Sequence, residues 1–567
     1  MVGVRRLRSA WLSLCLLLCL LLCLPVFSQD VGDMSVEFDA NEISDVINTS
    51  YSCHSNPAMA VAVVKDGKVL LSRGYGTFGL SSEKPVTGKS VFGIASLSKA
   101  FTAALFYKLL REKTNITLAS PVRLLLGKKF MMPDEFRTKE TTFEDLLSHK
   151  TAVPDYNRLR FNDNFTRQNL LEKLHLLQTR YQFRVKYIYS NLMYGLVTRI
   201  SEILGGKKWE ELMKENLFQP LGMTSTTFST EADFNRGDIV VPYAEIHSKL
   251  VQVNPEFSRR WADMAGSGSI MSSADDMAKW MNFHLNASQN GTGDQVLKPE
   301  LLDELHEGKF YVGDETSSDL KYPQFPVATS DSVYGLGWRI GFFRGFERIS
   351  HTGSTLGYRA IISIIPRQKI GIFIAMSGSD DSFRHRIPLL MYLTDRALGL
   401  KPFLNASTIC SYPEPWKPKP KPKPPVVFNA NVTLLHDIQQ YEGLYYNKLF
   451  GYLSIHYNKT LGLLVMSYGW GQWHLYLQSV EQREKFYGRG IGINEAYDIS
   501  PVYFNTKTKD GNVSIIGMDA TALEFSMPPK FTKVTNDKVK VKESNAHQMT
   551  KVNLYVLACL LILLVIL

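Results

Sequence analysis

The stretch FGIASLSKAFTAA at residues 92–104 decides the fold and the chemistry of this chain. Ser96 and Lys99 stand three residues apart at the start of a predicted apolar helix, Leu97–Leu110. Side chains at i and i+3 lie on the same helical face, so the lysine amine can reach the serine hydroxyl. A serine hydroxyl needs a neighbouring base to become a nucleophile, and a lysine is such a base only where burial lowers its pKa. The alternative is an ordinary helix start, with Ser96 or Ser98 as the N-cap.

Further motifs follow this stretch in order along the chain. They are LLSHKTAVPDY at residues 146–156, YSN at 189–191, PLGM at 220–223, AGSG at 265–268, YGLGW at 334–338 and HTG at 351–353. Together the motifs resemble the serine β-lactamase and penicillin-binding-protein family, in particular its class C β-lactamase, D-aminopeptidase and esterase branch. The resemblance covers most of residues 35–400 and implies an α+β fold. In that fold an antiparallel sheet flanked by helices carries a helical subdomain, and the active site lies between the two.

The resemblance also implies roles for individual residues. Ser96 is the implied nucleophile and Lys99 its partner. Tyr189 is the implied general base or acid, with a pKa that the neighbouring ammonium is expected to lower. Asn191 would hold the amide or acyl group of the substrate. The backbone N–H groups of Ser96 and Ser354 would form the oxyanion hole, assisted by the helix N-terminus.

The last motif departs from the family pattern. His351, Thr352 and Gly353 form the implied substrate-binding strand, but typical β-lactamases and peptidoglycan enzymes carry a lysine at the first position, where it receives a substrate carboxylate. Histidine is mostly charged only below about pH 6.5, which argues against β-lactams and D-Ala-D-Ala peptides as substrates. His149 is interpreted as a structural hydrogen-bonding residue. No His/Asp/Glu grouping has metal-ligand spacing, so we expect no metal and no other cofactor.

Apolar segments lie at both ends of the chain. Basic residues precede a short apolar run at the start, which indicates a secretory signal peptide over residues 1–28; an uncleaved signal anchor is the alternative. At the other end, Ser544 begins three small residues that are followed by a polar spacer and the apolar tail 552–567. This pattern favours a GPI-attachment signal at Ser544 over a transmembrane helix, for which the run is short. The expected location is the extracellular or luminal face of the cell-surface membrane.

Cysteines and sequons also indicate the secretory pathway. Four of the six cysteines lie in the terminal apolar segments, which leaves Cys53 and Cys410 for one disulfide. In the family's fold the first and last helices pack side by side, so this bridge would join the two ends of the catalytic domain. Asn-x-Ser/Thr sequons predict glycosylation at Asn48, Asn115, Asn164, Asn286, Asn290, Asn405, Asn431, Asn458 and Asn512.

A linker rich in proline and lysine, predicted over residues 411–430, divides the chain. From Pro418 every second residue is proline, which favours extended polyproline II. After the linker, residues 434–527 contain short β-like runs separated by turn signals. They resemble the lipocalin-like β-barrel that is appended to the esterase branch, and their aromatic residues are interpreted as core. A basic stem is predicted over residues 528–551.

These patterns predict a secreted, membrane-anchored serine hydrolase that acts through a Ser96 acyl-enzyme on small amides, esters or short peptides. Acyl transfer to an amine is one alternative. A catalytically inactive cell-surface binding or scaffold protein of the same fold is the other. Much of the net charge of +10 lies in the signal segment, the linker and the stem. Because no basic groove is interleaved with aromatic residues, we expect no nucleic-acid partner.

Overall fold

A computed structural model describes residues 38–235, 237–285, 296–313, 319–380, 383–418, 434–480, 484–509 and 512–534. The predicted signal peptide, most of the linker and stem, Ser544 and the apolar tail lie outside these residues, as do the sequons at Asn286, Asn290 and Asn431. Within the described ranges, the helices are too short or too polar to cross a membrane.

The secondary structure divides into a mixed first domain and an all-β second domain. The strands of the first domain are β1 (Ala58–Lys65), β2 (Lys68–Gly76), β3 (Phe92–Gly93), β4 (Thr227–Phe228), β5 (Tyr243–Ile246), β6 (Lys249–Gln252), β7 (Ile270–Ser272), β8 (Phe310–Tyr311), β9 (Thr329–Tyr334), β10 (Arg339–Phe343), β11 (Phe346–Thr355), β12 (Tyr358–Ile365) and β13 (Ile370–Ser377). Its α-helices are α1 (Ala40–Ser52), α2 (Ser98–Lys113), α3 (Arg123–Leu126), α4 (Glu135–Glu140), α5 (Phe143–Leu147), α6 (Leu170–Lys173), α7 (Asn191–Gly205), α8 (Trp209–Met213), α9 (Pro255–Arg259), α10 (Ala265–Gly268), α11 (Ala274–His284), α12 (Pro299–Leu305), α13 (Arg386–Ala397) and α14 (Ala406–Ile409). The second domain contains β14 (Gly443–Asn447), β15 (Gly451–Asn458), β16 (Leu463–Tyr468), β17 (Gly471–Val480), β18 (Glu484–Gly490), β19 (Ile499–Lys509), β20 (Asn512–Asp519) and β21 (Lys530–Lys533).

An antiparallel sheet of eight strands forms the body of the first domain, in the order β2-β1-β13-β12-β11-β10-β9-β8. The hairpin β1–β2 turns at Asp66 and Gly67, which both adopt positive φ angles (49° and 78°), as the Asp-Gly pair predicts. Successive residues of β1 enter two different apolar cores, one on each face of the sheet. Helix α11 covers one face and α13 the other, so the central strands are buried on both sides. The structure confirms the predicted α+β sheet domain.

A disulfide joins the two ends of this domain. Cys53 and Cys410 lie at 2.08 Å between sulfur atoms and 5.9 Å between Cα atoms, which confirms the predicted pairing. Helices α1 and α14, which each end one residue before a cysteine of the bridge, pack against each other. Beyond Cys410 the chain still contacts the domain, because Trp416 packs against Phe325 with ring centroids 6.2 Å apart. The part of the predicted linker up to Trp416 therefore still contacts the first domain.

The predicted helical subdomain contains fewer regular helices than its apolar sequence suggests. Helices α2 and α7 are long and pack against each other, whereas those between them have only four to six residues. The loop after α5 holds His149, Ala152 and Tyr156 at positive φ angles of 62°, 59° and 51°. Such angles cost energy in residues with a Cβ and cluster at functional sites. Apolar periodicity does not reveal this loop, because its conformation is imposed by the packing around it.

Strands β14–β21 close into an antiparallel barrel in chain order, which confirms the predicted β-barrel domain. Its large aromatic residues, such as Trp473, are mostly buried inside it. The barrel docks on the first domain at the turn that follows the LLSHKTAVPDY motif. The indole of Trp470 donates to the carbonyl of Arg160 at 3.1 Å. Gly469 has a φ of 55°, and a Cβ there would lie 1.6 Å from the carbonyl oxygen of Phe161, so only glycine permits this close approach.

Candidate active site

A strained turn presents Ser96 at the start of α2. Ala95 has a φ of 47°, a left-handed conformation that is uncommon for a residue with a Cβ. The chain then passes through a 3₁₀ turn, Ala95–Leu97, into the helix, which has no side-chain N-cap. The Ser98 hydroxyl is buried and accepts a hydrogen bond from the backbone of Ile270 at 3.1 Å. Ser98 therefore ties the turn to β7, whereas Ser96 lines an open cavity.

The amine of Lys99 is fully buried and contacts three oxygen atoms. Nζ lies 3.3 Å from Oγ of Ser96, 2.5 Å from Oδ1 of Asn191 and 2.7 Å from the carbonyl oxygen of Ser267. Burial lowers the pKa of Lys99 to about 7, although the negative charge of Asp155 opposes this shift. A neutral amine has two N–H donors and one lone pair. Because Asn191 and Ser267 accept the two N–H groups, the lone pair is left for the Ser96 hydroxyl.

The aromatic ring of Tyr189 forms the wall beside this amine. Nζ of Lys99 lies over the ring, 4.7 Å from its centre. Burial raises the pKa of the Tyr189 phenol, while an interaction with the Ser96 side chain opposes the rise. The direction is opposite to the expected lowering, because burial has the largest effect on this pKa, and the phenol remains protonated at neutral pH. Nδ1 of His149 accepts the backbone N–H of Ser190 at 3.1 Å, a structural contact of the kind expected for this histidine.

Asn191 is held from two sides at the start of α7. Its Oδ1 accepts from Lys99, and its Nδ2 donates to Oδ1 of Asn157 at 3.0 Å. Its backbone N–H donates to the Asp155 carboxylate at 2.7 Å. Burial raises the pKa of Asp155 to about 6, against the effect of that hydrogen bond and of Lys99. The sequence analysis assigned no role to Asp155. The clearest effect of Asn191 in the structure is to orient the Lys99 amine through its Oδ1.

The side chain of His351 lies behind the site and is only 3% exposed. Its Nδ1 donates to the Thr352 carbonyl at 2.7 Å, so its Nε2 accepts from the Tyr334 hydroxyl at 3.0 Å. Burial, together with the positive charges of Lys99 and Arg339, lowers the pKa of His351 to about 3. The imidazole is therefore neutral over the physiological pH range. It cannot act as the cationic anchor that a lysine supplies elsewhere in the family.

At Gly353, strand β11 passes close to the turn that carries Ser96. A Cβ at this position would lie 2.2 Å from the carbonyl oxygen of Ile94. Ser354 follows and lines the same cavity as Ser96. Arg386, which is buried in α13, stabilises this part of the strand. It donates to the Gly353 carbonyl and, at 3.0 Å, to Oγ of Ser354.

The cavity beside Ser96 has a volume of about 300 Å³ and is bounded by both domains. Arg158, Arg160 and Arg359 line it from the first domain, and Tyr497 lines it from the barrel. Sequence reasoning missed all four. The only available signal for the first two was their position directly after the LLSHKTAVPDY motif, whereas nothing local marks Tyr497. In the described part of the chain, no group of His, Cys, Asp or Glu side chains is arranged to hold a metal ion.

Comparison with known proteins agrees with this geometry. Residues 45–394 match the family model described as Beta-lactamase. The chain belongs to the beta-lactamase family. Gigasin-6 from Magallana gigas is 31% identical to this family member over 232 residues, which are 41% of this chain and 77% of that protein. An unguisins hydrolase from Aspergillus violaceofuscus is 28% identical over 357 residues, which are 61% of this chain and 62% of that protein.

Solved structures place this beta-lactamase-family protein in the same fold. The octameric penicillin-binding protein homologue from Pyrococcus abyssi has a TM-score of 0.52 at 19% identity, covering 87% of this chain and 100% of its own. SurE has a TM-score of 0.51 at 16% identity, covering 88% of this chain and 100% of its own. A D-amino acid amidase from Ochrobactrum anthropi SV3 has a TM-score of 0.50 at 18% identity and covers 63% and 97%. At these identities the likeness establishes the fold.

Proposed function

We propose that this protein is a serine hydrolase that acts on small amides, esters or short peptides through an acyl-enzyme on Ser96. The position of the Lys99 amine carries the proposal. Two N–H groups of the amine donate to Asn191 and Ser267. Its nitrogen, Nζ, lies 3.3 Å from Oγ of Ser96, so the lone pair is left for the serine hydroxyl. A buried amine with a lowered pKa can accept the serine proton. The hydrolase and amidase among the similar proteins support the same chemistry.

The proton transfers follow from the protonation states of the two partners. Neutral Lys99 takes the proton of Ser96 as Oγ attacks the substrate carbonyl. The backbone N–H groups of Ser96 and Ser354 hold the oxyanion that forms. Tyr189 is protonated, so it acts as the acid that donates to the leaving group, and Lys99 then returns a proton to the phenolate. Neutral Lys99 next takes a proton from the water that attacks the acyl-enzyme, and the protonated amine gives that proton to Oγ as the acid product leaves and Ser96 is regenerated.

Labelling with a fluorophosphonate tests this proposal. The wild-type protein is expected to gain one covalent adduct, which peptide mass spectrometry places on Ser96, and Ser96→Ala is expected to gain none. Losing a catalytic nucleophile lowers turnover by several orders of magnitude, so the variant should also fail to hydrolyse a neutral ester. Ser269→Ala is the matched control, because the buried Ser269 hydroxyl has no hydrogen-bond partner in the described structure. Equal labelling of Ser96→Ala would contradict the mechanism, and an unlabelled, inactive wild type would favour the scaffold alternative.

We further propose that the protein enters the secretory pathway and is held at the cell surface by a GPI anchor. The Cys53–Cys410 disulfide supports the first part, because oxidising compartments favour disulfides. Four of the sequons, at Asn48, Asn115, Asn164 and Asn405, are exposed in the structure and so accessible to glycosylation. The small residues from Ser544 and the apolar tail support the second part.

Phosphatidylinositol-specific phospholipase is expected to release the protein from intact cells. The released protein should end at Ser544 in C-terminal peptide mapping, since the tail is removed when the anchor is attached. Ser544→Leu, which places a bulky residue at the attachment site, should abolish this release. A protein that stays on the cells after treatment and retains Leu567 would instead be held by a transmembrane helix.

A further inference from the structure

The cavity beside Ser96 carries positive charge that the chemistry of the nucleophile does not use. Three of the residues that line it are arginines, Arg158, Arg160 and Arg359. No Asp or Glu is among the described residues that line it. His351, at the position of the family's carboxylate-binding lysine, is neutral and buried behind Tyr334. The positive charge of this site therefore comes from the arginines that line the cavity, and not from the position of His351.

Arg160 is the most unusual of these arginines, because it is only 7% exposed and yet has few polar partners. In the described structure its one side-chain hydrogen bond is long, from Nη1 to the carbonyl of Phe257 at 3.4 Å, and its Nε has no partner. Four aromatic rings lie 4.6–5.9 Å from the centre of its guanidinium, those of Phe161, Phe257, Trp261 and Trp470. The rings stabilise the cation but do not neutralise it. A buried guanidinium with five donors and so few acceptors favours an anionic ligand.

Among the described residues, Arg160 forms no direct ion pair with the groups around the two arginines. Nε of Arg158 donates to the Tyr497 hydroxyl at 2.8 Å, and the Asp155 and Glu524 carboxylates act on Arg158 from nearby. Tyr497, Asp155 and Asp263 favour the charged form of Arg160, but in the described structure its side chain makes no hydrogen bond to any of them, and Arg158 opposes their effect. Burial lowers the pKa of Arg160 to about 10, so the side chain still carries its charge at neutral pH.

We propose that Arg158 and Arg160 bind a carboxylate of the substrate, so that the substrates of the Ser96 site are small amides or esters that bear a free carboxyl group. The assignment of the cleaved bond rests on the function proposed above, whereas the binding of the carboxylate does not. Arginine can donate two parallel hydrogen bonds to a carboxylate, which gives both affinity and orientation. Because the Tyr497 hydroxyl holds Arg158, the barrel domain contributes to this selectivity.

Binding to the Ser96→Ala protein tests the carboxylate site without turnover. Isothermal titration compares 4-acetoxybenzoate with its methyl ester, and monophenyl glutarate with methyl phenyl glutarate, which place the carboxylate on the leaving-group side and on the acyl side. In at least one pair we expect the carboxylate to bind about tenfold to a hundredfold more tightly, as a hydrogen bond to a charged group implies. Kd ratios near one in both pairs would overturn the proposal.

Variants in the Ser96→Ala background show which side chains cause the preference for the carboxylate over its methyl ester. Arg160→Met should bring the Kd ratio close to one, and Arg160→Lys should keep part of it. Arg158→Gln, at a partly exposed residue, provides a second variant that does not depend on the buried site remaining folded. Arg259→Gln removes the same charge from α9 outside the cavity and should keep the full ratio. A preference that survives in both Arg158→Gln and Arg160→Met would also overturn the proposal.

Hydrolysis by the wild-type protein separates this proposal from the function on which it rests. If the carboxylate is preferred in binding but no ester is hydrolysed and no fluorophosphonate is bound, only the proposed hydrolase function fails. If esters are hydrolysed but the charged and neutral members bind equally, only the carboxylate site fails.

Discussion

Lys99→Met is expected to lower kcat/KM for a neutral ester by about a thousandfold or more, since a positioned proton-transfer group contributes about 10² to 10⁴ to a rate. The substitution removes the base but keeps a flexible apolar chain of similar length in the buried site. Nζ is the only part of Lys99 that bonds Ser96, Asn191 and Ser267. The rate constant for fluorophosphonate labelling of Ser96 measures the same loss without requiring deacylation.

The pH profile distinguishes a missing base from a damaged fold. Burial lowers the pKa of Lys99 to about 7. Protonation below that pH fills the lone pair that faces Ser96, so the wild-type rate should fall as pH decreases through the neutral range. The residual rate of Lys99→Met should lack this fall. Lys108→Met, on the same helix but paired with Glu112 instead of Ser96, should keep the wild-type profile. An acid limb of unchanged shape in Lys99→Met would show that another group is the base.

Gly353→Ala is expected to lower the labelling rate of Ser96 by about a hundredfold, because a shift of about 1 Å at a catalytic site can cost that much. The added Cβ would lie 2.2 Å from the carbonyl oxygen of Ile94 and 3.0 Å from a methyl group of Leu97. The nearer contact is with backbone, which cannot rotate away, so β11 or the nucleophile turn must move. Overpacking of this kind also destabilises a protein by about 1–3 kcal/mol.

Labelling kinetics and urea unfolding measure the two effects of Gly353→Ala separately. Gly195→Ala is the matched control, because a Cβ at that helical position meets its nearest neighbour at 3.4 Å, an ordinary contact. That variant should label at the wild-type rate and be as stable or slightly more stable, since alanine favours helix over glycine. If Gly353→Ala also labels at the wild-type rate, the close approach of β11 to the nucleophile turn is not needed for catalysis.

The parts of the site that follow from local sequence were predictable. Ser96 and Lys99 meet because they are three residues apart at the start of a helix, and Cys53 and Cys410 were the two cysteines outside the terminal apolar segments. The direction of the Tyr189 pKa was not predictable, since it depends on burial by residues distant in the chain. The orientation of His351 toward Tyr334, away from the cavity, likewise depends on how neighbouring strands pack.

The presence of Arg158, Arg160 and Arg359 in the cavity could not be predicted from the sequence for the same reason. Arg158 and Arg160 follow a recognised motif, but only the three-dimensional structure shows that they line the cavity beside Ser96. Tyr497 lies more than three hundred residues from Arg158 in the chain, and no local pattern connects the two. The resemblance that suggested the nucleophile therefore bore on selectivity only through Asn191 and His351, and not through the arginines that line the cavity.

The docking of the barrel on residues 155–162 also bears on when the site becomes complete during synthesis. Domains generally fold as units, with the N-terminal one first, so the nucleophile and its base can be assembled while the barrel is still being made. The cavity, however, lacks Tyr497, and Arg158 lacks its hydrogen-bond partner, until the last strands of the barrel have closed. We therefore expect a newly made chain to hold the proposed nucleophile before its cavity is finished, and to acquire the proposed selectivity only when the second domain has folded.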